Sequence, residues 1–249
     1  MAQDSTYYES DAGLAEYAEF HYGDHCYGVE NFPARLAEIA LSYAQGPRRR
    51  ALDLGCASGR ATFELARVYE HVDGVDFSEA FIEQCQRMAR DGQLRYGRLE
   101  EGVVRSDQCR RLEDLGLSEA AQRTQFAQGD ACDLDPALRD YDLVLAANLV
   151  DRLPKPTAFL DAMAERIVSG GVLLIATPGT WMASYTTAEN WLGGYEKDGQ
   201  PVTTLDGLTQ HLSANFEPIG PARDVAFVLR ETARKHQHTL SQVSCWRRR

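Results

Sequence analysis

From residue 51 onward, short apolar runs alternate with amphipathic stretches, the pattern of βα units feeding a parallel sheet. The runs at 51–54, 72–76, 124–128, 143–147 and 172–176 read as strands, each ending near a polar or glycine-containing turn. Between them, 60–69, 78–90 and 156–168 read as helices, and Ser78 is placed to cap the second ahead of Phe81, Ile82 and Cys85. Segments 224–230 and 238–246 read as an antiparallel pair turning around Arg234 and Lys235 and closing one edge. The pattern predicts an α/β fold with a doubly wound, mostly parallel seven-stranded sheet, whose ligand sits at the carboxyl ends of the strands.

Three segments exceed that minimal core. Residues 1–45 carry Phe20, Tyr22 and Tyr27 ahead of an apolar-periodic stretch at 32–43, which predicts an N-terminal helical lid. Residues 93–117 predict a hairpin with arms at 94–96 and 103–105. Residues 178–215, rich in Trp, Tyr, Thr and Gly, predict an inserted cap. A single domain over 1–249 is expected, with the donor-binding core at 46–177 and antiparallel strands in 216–249.

Composition narrows the partners. With 44% apolar residues, 249 residues supply one sizeable core. Acidic side chains outnumber basic ones 37 to 26, for a net charge of −11, so the mean field repels nucleic-acid phosphates. The basic runs at 48–50 and 247–249 read as solvated flanks. Six cysteines form no C-x-x-C pair and follow no secretory segment, which predicts free thiols in a reducing cytoplasm. The longest apolar stretch, 172–176, is far short of the roughly 20 residues of a membrane helix, so no membrane partner is expected.

The chemistry is concentrated after the first strand. In A-L-D-L-G-C-A-S-G-R-A, the small residues Gly55, Cys56, Ala57 and Gly59 let the backbone approach a bulky ligand. A dinucleotide fingerprint would carry glycine where Ala57 stands, and the Asp53 carboxylate repels phosphate but suits an ammonium group. That favours the methionine part of S-adenosylmethionine. Asp76 ends the next strand, placed to accept from both ribose hydroxyls, or alternatively to serve as a surface cap for the following helix; Phe77 beside it is a candidate to stack on adenine. Asp130, with Ala131, ends the third strand in G-D-A-C, placed to accept from the adenine amino group. Asn148 and Leu149 follow the fourth and face the methyl donor.

This ordered set over residues 47–176 resembles the Rossmann-like class I S-adenosylmethionine-dependent methyltransferases. The outer segments are similar to a narrower family. Tyr7-Tyr8-Glu9-Ser10, Phe20-His21-Tyr22-Gly23, Trp191-Leu192-Gly193-Gly194, Arg230-Glu231-Thr232-Ala233-Arg234-Lys235 and Cys245-Trp246-Arg247-Arg248 resemble the methyltransferase of ovothiol biosynthesis, in its stand-alone form. The resemblance implies methylation of the π-nitrogen of 5-thiohistidine, S-adenosylhomocysteine as by-product, and a functional link to a separate sulfoxide synthase.

For such an amino acid, Arg230 and Arg152 are candidates to hold the carboxylate, and Asp151, Tyr7 or Tyr8 the ammonium. His21 is a candidate to accept the ring proton or to make a structural hydrogen bond under the lid. Tyr22 is placed to orient the imidazole or line the donor pocket. Trp181 and Trp191 wall the substrate cavity or pack on each other. His236 and His238 share a strand face without a thiolate or carboxylate cluster, so no metal is expected. A methyltransferase for another small acceptor, and a non-catalytic nucleotide-binding module, are the competing readings.

Overall fold

The computed structural model describes residues 5–249, and residues 1–4 of the expected lid lie outside the described residues. After a 3-10 turn at Ser5–Glu9, α1 (Asp11–Tyr22) starts at Ser10, whose hydroxyl accepts from the Gly13 amide. Asn31 starts α2 (Phe32–Tyr43) in the same way at Ala34. The core continues through β1 (Arg50–Leu54), α3 (Arg60–Leu65), β2 (His71–Asp76) and α4 (Glu79–Asp91). Ser78 caps α4 by accepting from Phe81, Gly92 ends it in the left-handed region, and Phe81, Ile82, Cys85 and Met88 form its buried face.

A hairpin of β3 (Gln93–Glu101) and β4 (Val104–Arg111) leaves the core, and α5 (Ser118–Ala121) returns to β5 (Thr124–Gln128). Then come β6 (Tyr141–Ala147), α6 (Pro156–Arg166) and β7 (Ile167–Thr177). The small hairpin of β8 (Tyr195–Lys197) and β9 (Gln200–Val202) leads to α7 (Thr204–Leu212), β10 (Phe216–Pro218), β11 (Arg223–Arg230) and β12 (His236–Arg248).

The main sheet runs β10-β12-β7-β6-β1-β2-β5, with β11 as an eighth strand sharing the outer edge of β12 with β10. The five strands from β7 to β5 are parallel, and β12 is antiparallel to β7. Strand order reverses between β1 and β6, so the residues just beyond Leu54 and Ala147 flank the crevice where such sheets bind ligands.

Both faces of the sheet are covered, which is why its central strands read as continuous apolar runs. Ala51, Leu143 and Leu174 face α1 to α4, and Leu52, Leu54 and Val144 face α6 and α7. The predicted first helix is shorter than expected, ending at Leu65. The hairpin arms are much longer, because β4 and most of β3 are polar and carry no sustained apolar alternation to reveal them. In the region expected to be a cap, α7 packs with α6, and Leu192, Leu208 and Leu212 join the core on that face. Much of that region is therefore the crossover from β7 to β10.

Candidate active site

Between β1 and α3 the backbone makes a tight turn through Gly55 (φ 71°), Ala57 (φ 45°) and Gly59 (φ 80°). The turn hangs from the neighbouring strand: the Gly55 and Cys56 amides donate to the Val75 carbonyl at 2.8 and 3.2 Å. Asp76 ties it down, accepting from the Ala57 amide on Oδ2 and the Ser78 amide on Oδ1, both at 2.9 Å. The Asp76 carboxylate thus spans the β1–α3 turn and the start of α4, with Phe77 beside it 68% exposed. Asp130 accepts from the Cys132 amide at 2.8 Å, and Ala131 is buried next to it. Leu149 packs against Gly55.

Asp53 is placed differently from the sequence expectation. Side chains alternate along a strand, so Leu52 and Leu54 face one layer while Asp53 points into the other, beneath α3. There it is 2% exposed and accepts from the Thr62 hydroxyl at 2.7 Å. It braces the turn from below and presents no carboxylate for an ammonium group.

The two residues expected to be catalytic also serve the turn. Tyr22 is 4% exposed and donates to the Ser58 carbonyl at 2.6 Å. His21 is 5% exposed, and its Nδ1 accepts from the Arg60 amide at 3.3 Å, satisfying a free amide at the start of α3. Burial, reinforced by the Arg60 charge, lowers its pKa to about 3. A neutral imidazole whose Nδ1 lone pair is occupied is a poor proton acceptor. The general-base assignment is corrected to a structural one, and Tyr22 buttresses the β1–α3 turn.

Across the crevice, Asn148 adopts φ 52° at the end of β6 and accepts from Ser241 of β12 at 2.6 Å. Asp151 is fully buried; its Oδ2 accepts from Arg152 at 2.9 Å and from the Thr180 amide and hydroxyl at 3.1 Å, while Oδ1 has no partner among the described residues. Tyr7 donates to Glu16 at 2.6 Å. Tyr8 lies against Tyr17 and Phe81. Tyr17, Thr180, Tyr185 and Ser241 border this region and escaped the sequence reading. Only Tyr17 had a signal, standing one helical turn before His21.

Two expected substrate contacts are not available. Arg230 donates to the Leu99 carbonyl at 2.7 Å and pairs with Glu100 at 2.5 Å, its side chain 10% exposed. It clamps β11 to the β3 arm, so its charge is spent there. Trp181 donates to Thr204 at 2.9 Å and stacks on Trp191 with ring centres 6.3 Å apart, so the two pack within the β7 to β10 crossover. A cleft of about 440 Å³ is lined by Tyr22, Asp24, Arg60, Arg110 and Asp114 and includes none of Gly55, Asp76, Asp130 or Asn148. Its Arg60 and Arg110 are already paired with Glu64 and Asp24. No group of three His, Cys, Asp or Glu able to hold a metal occurs among the described residues.

A family model described as a methyltransferase domain matches residues 46–217, which include the donor turn, all five parallel strands and Asn148. The chain belongs to the methyltransferase domain family. A ubiquinone biosynthesis O-methyltransferase of Xylella fastidiosa (strain 9a5c) is 24% identical over 139 residues, covering 56% of this chain and 46% of that protein. The chain spans about half the length of the curated relatives it matches. Among solved structures, the magnesium protoporphyrin IX methyltransferase of Synechocystis PCC 6803 with bound S-adenosylmethionine is similar at TM-score 0.58 and 14% identity, covering 98% of this chain and 94% of that one. The cyclase SpnF matches at TM-score 0.60 and 15% identity, covering 96% and 93%. The fold is therefore shared by proteins named for different reactions.

The donor end of this methyltransferase fits S-adenosylmethionine. A turn without bulky side chains, a carboxylate at the end of β2, an exposed aromatic beside it and a second carboxylate after β5 suit amino-acid, ribose and adenine parts in order. The groups beneath the turn titrate with opposite signs. Burial pushes Asp53 up to about 7, against the opposing Thr62 hydrogen bond. The folded chain keeps that proton where the unfolded chain has lost it near pH 3.8, so Asp53's contribution to stability is whole below 3.8 and lost as pH rises through about 7. His21 is protonated in the unfolded chain below 6.5 but not in the folded chain until about 3, so its contribution is whole above 6.5 and lost as pH falls. Relative to the parent, His21→Gln should gain stability as pH drops from about 6.5 to about 4.5. Asp53→Asn should gain as pH rises over that window, each by on the order of 1 kcal/mol per pH unit. Chemical denaturation at both pH values checks this, and slopes of the same sign for the two variants overturn it.

Proposed function

We propose that this methyltransferase transfers the methyl group of S-adenosylmethionine to the imidazole π-nitrogen of 5-thiohistidine, giving ovothiol A. The reading is carried by the outer segments that resemble that family; the first lies against the start of α4 and the fourth at the β11–β12 turn, whereas 245–248 pairs with the middle of β7. Tyr8 of the first segment meets Tyr185, Tyr7 lies within electrostatic range of Glu231, and the Ala233 amide donates to Glu100 at 3.1 Å.

The bound donor supplies an electrophilic methyl group on a sulfonium. The chain's residues have to hold the acceptor atom in line with it and exclude water. A neutral imidazole attacks with its own lone pair, so this reading needs no base from His21, whose Nδ1 is engaged by the Arg60 amide. Because the sulfur of 5-thiohistidine is itself nucleophilic, orientation has to choose the ring nitrogen. Asn148, its amide oxygen occupied by Ser241, offers its N–H groups to a partner in the crevice.

Incubation with S-adenosylmethionine and 5-thiohistidine should give a product one methylene heavier, with NMR locating the methyl on the π-nitrogen. A methyl on sulfur, or no turnover, overturns the acceptor. Turnover with a phenol or another small acceptor in a parallel panel establishes the alternative. Tight donor binding with no turnover on any acceptor points to a non-catalytic module.

A further inference from the structure

Three phenols reach one place from three segments: Tyr8 from the turn before α1, Tyr17 from α1, and Tyr185 from the loop after β7. Tyr8 and Tyr17 meet edge to face with ring centres 5.8 Å apart, and the Tyr8 hydroxyl is close enough to those of Tyr17 and Tyr185 for each to influence its ionisation. The Arg152 guanidinium lies 5.3 Å from the centre of the Tyr185 ring, and its charge is felt at the hydroxyls of Tyr8 and Tyr17. Tyr17 also lies within electrostatic range of Asp76, so the cluster borders the donor site.

Arg152 is fixed from behind. Its Nη1 donates to the Asp151 carboxylate at 2.9 Å and to the Thr180 carbonyl at 2.8 Å, and its Nη2 to the Thr180 hydroxyl at 2.8 Å. A guanidinium has five N–H groups, and these contacts leave Nε and part of Nη2 for another acceptor. Burial holds the Tyr8 and Tyr17 phenols well above their usual range, so each is an O–H donor at neutral pH. Hydroxyl donors beside a guanidinium with N–H groups to spare match the two oxygens of a carboxylate.

We propose that Tyr8, Tyr17 and Tyr185, with Arg152 behind them, form the subsite for a carboxylate of the methyl acceptor. The subsite rests on the amino-acid acceptor proposed above and gives to Arg152, with the three phenols, the role that the sequence offered to Arg230 or Arg152. It also reassigns Tyr8 from the ammonium end to the carboxylate end.

The test is calorimetric titration of the full chain, saturated with S-adenosylhomocysteine, with 5-thiohistidine and with 5-thiohistamine, which lacks the carboxylate. The parent should prefer the acid by about tenfold or more, as befits hydrogen bonds to a charged group. In Tyr8→Phe and Tyr185→Phe, which keep the ring packing, that preference should fall by about fivefold or more. Two ligands that weaken in parallel, or a preference unchanged in both variants, overturn the subsite. A parent that binds neither ligand overturns the amino-acid acceptor itself, and the subsite with it.

Discussion

Replacing Asp76 by alanine should weaken S-adenosylmethionine binding by about 100-fold or more, because two hydrogen bonds to a charged carboxylate contribute about 1.5–3 kcal/mol each. The loss has two sources in the geometry. Oδ2 holds the Ala57 amide of the β1–α3 turn and Oδ1 the Ser78 amide at the start of α4, so removing the carboxylate loosens the turn as well as removing the expected ribose acceptor. Asp76→Asn separates them. It keeps one oxygen acceptor for a loop amide and removes the charge, so it should lie between alanine and the parent. Calorimetry on the purified variants provides the measurement, and an alanine variant within about threefold of the parent removes the ribose from Asp76.

Gly59→Ala should be the most damaging small change in the donor turn. At φ 80° a Cβ is strained, costing about 1–2 kcal/mol. The same Cβ would stand 2.9 Å from the Cys85 sulfur and 3.1 Å from the Phe126 ring, in a core where overpacking costs about 1–3 kcal/mol more. For a chain of this length, the sum lowers the melting temperature by roughly 5–15 °C. The expectation includes weaker donor binding, since Gly59 precedes α3 and follows Ser58, whose carbonyl Tyr22 holds. An unchanged melting temperature means that Cys85 and Phe126 move aside more easily than close packing allows.

The elements were legible where burial is two-sided. The β1, β6 and β7 runs are apolar because helices cover both faces, and the acidic residues after β2 and β5 pointed to Asp76 and Asp130. The β3–β4 hairpin was legible as a turn but not in length, since most of its residues face solvent or ion-pair partners. Asp53 shows where one residue of register matters. Motif position put it at the ligand, and strand alternation turned it to Thr62.

His21, Tyr22 and Arg230 are chemically suited to catalysis or substrate binding, and their segments border the candidate site. Their availability depended on partners far along the chain: Arg60 and Ser58 for the first two, and Glu100, 130 positions away, for Arg230. A side chain's chemistry is set by what shields or neutralises it, and no spacing pattern carries that across such separations. Local pattern therefore marked the parallel strands and the turns at their carboxyl ends, while the order of strands across the sheet came from the fold. Only chain packing brought Tyr8, Tyr17, Arg152 and Tyr185 together from separate segments, because folding alone sets the distances on which hydrogen bonds and charge depend.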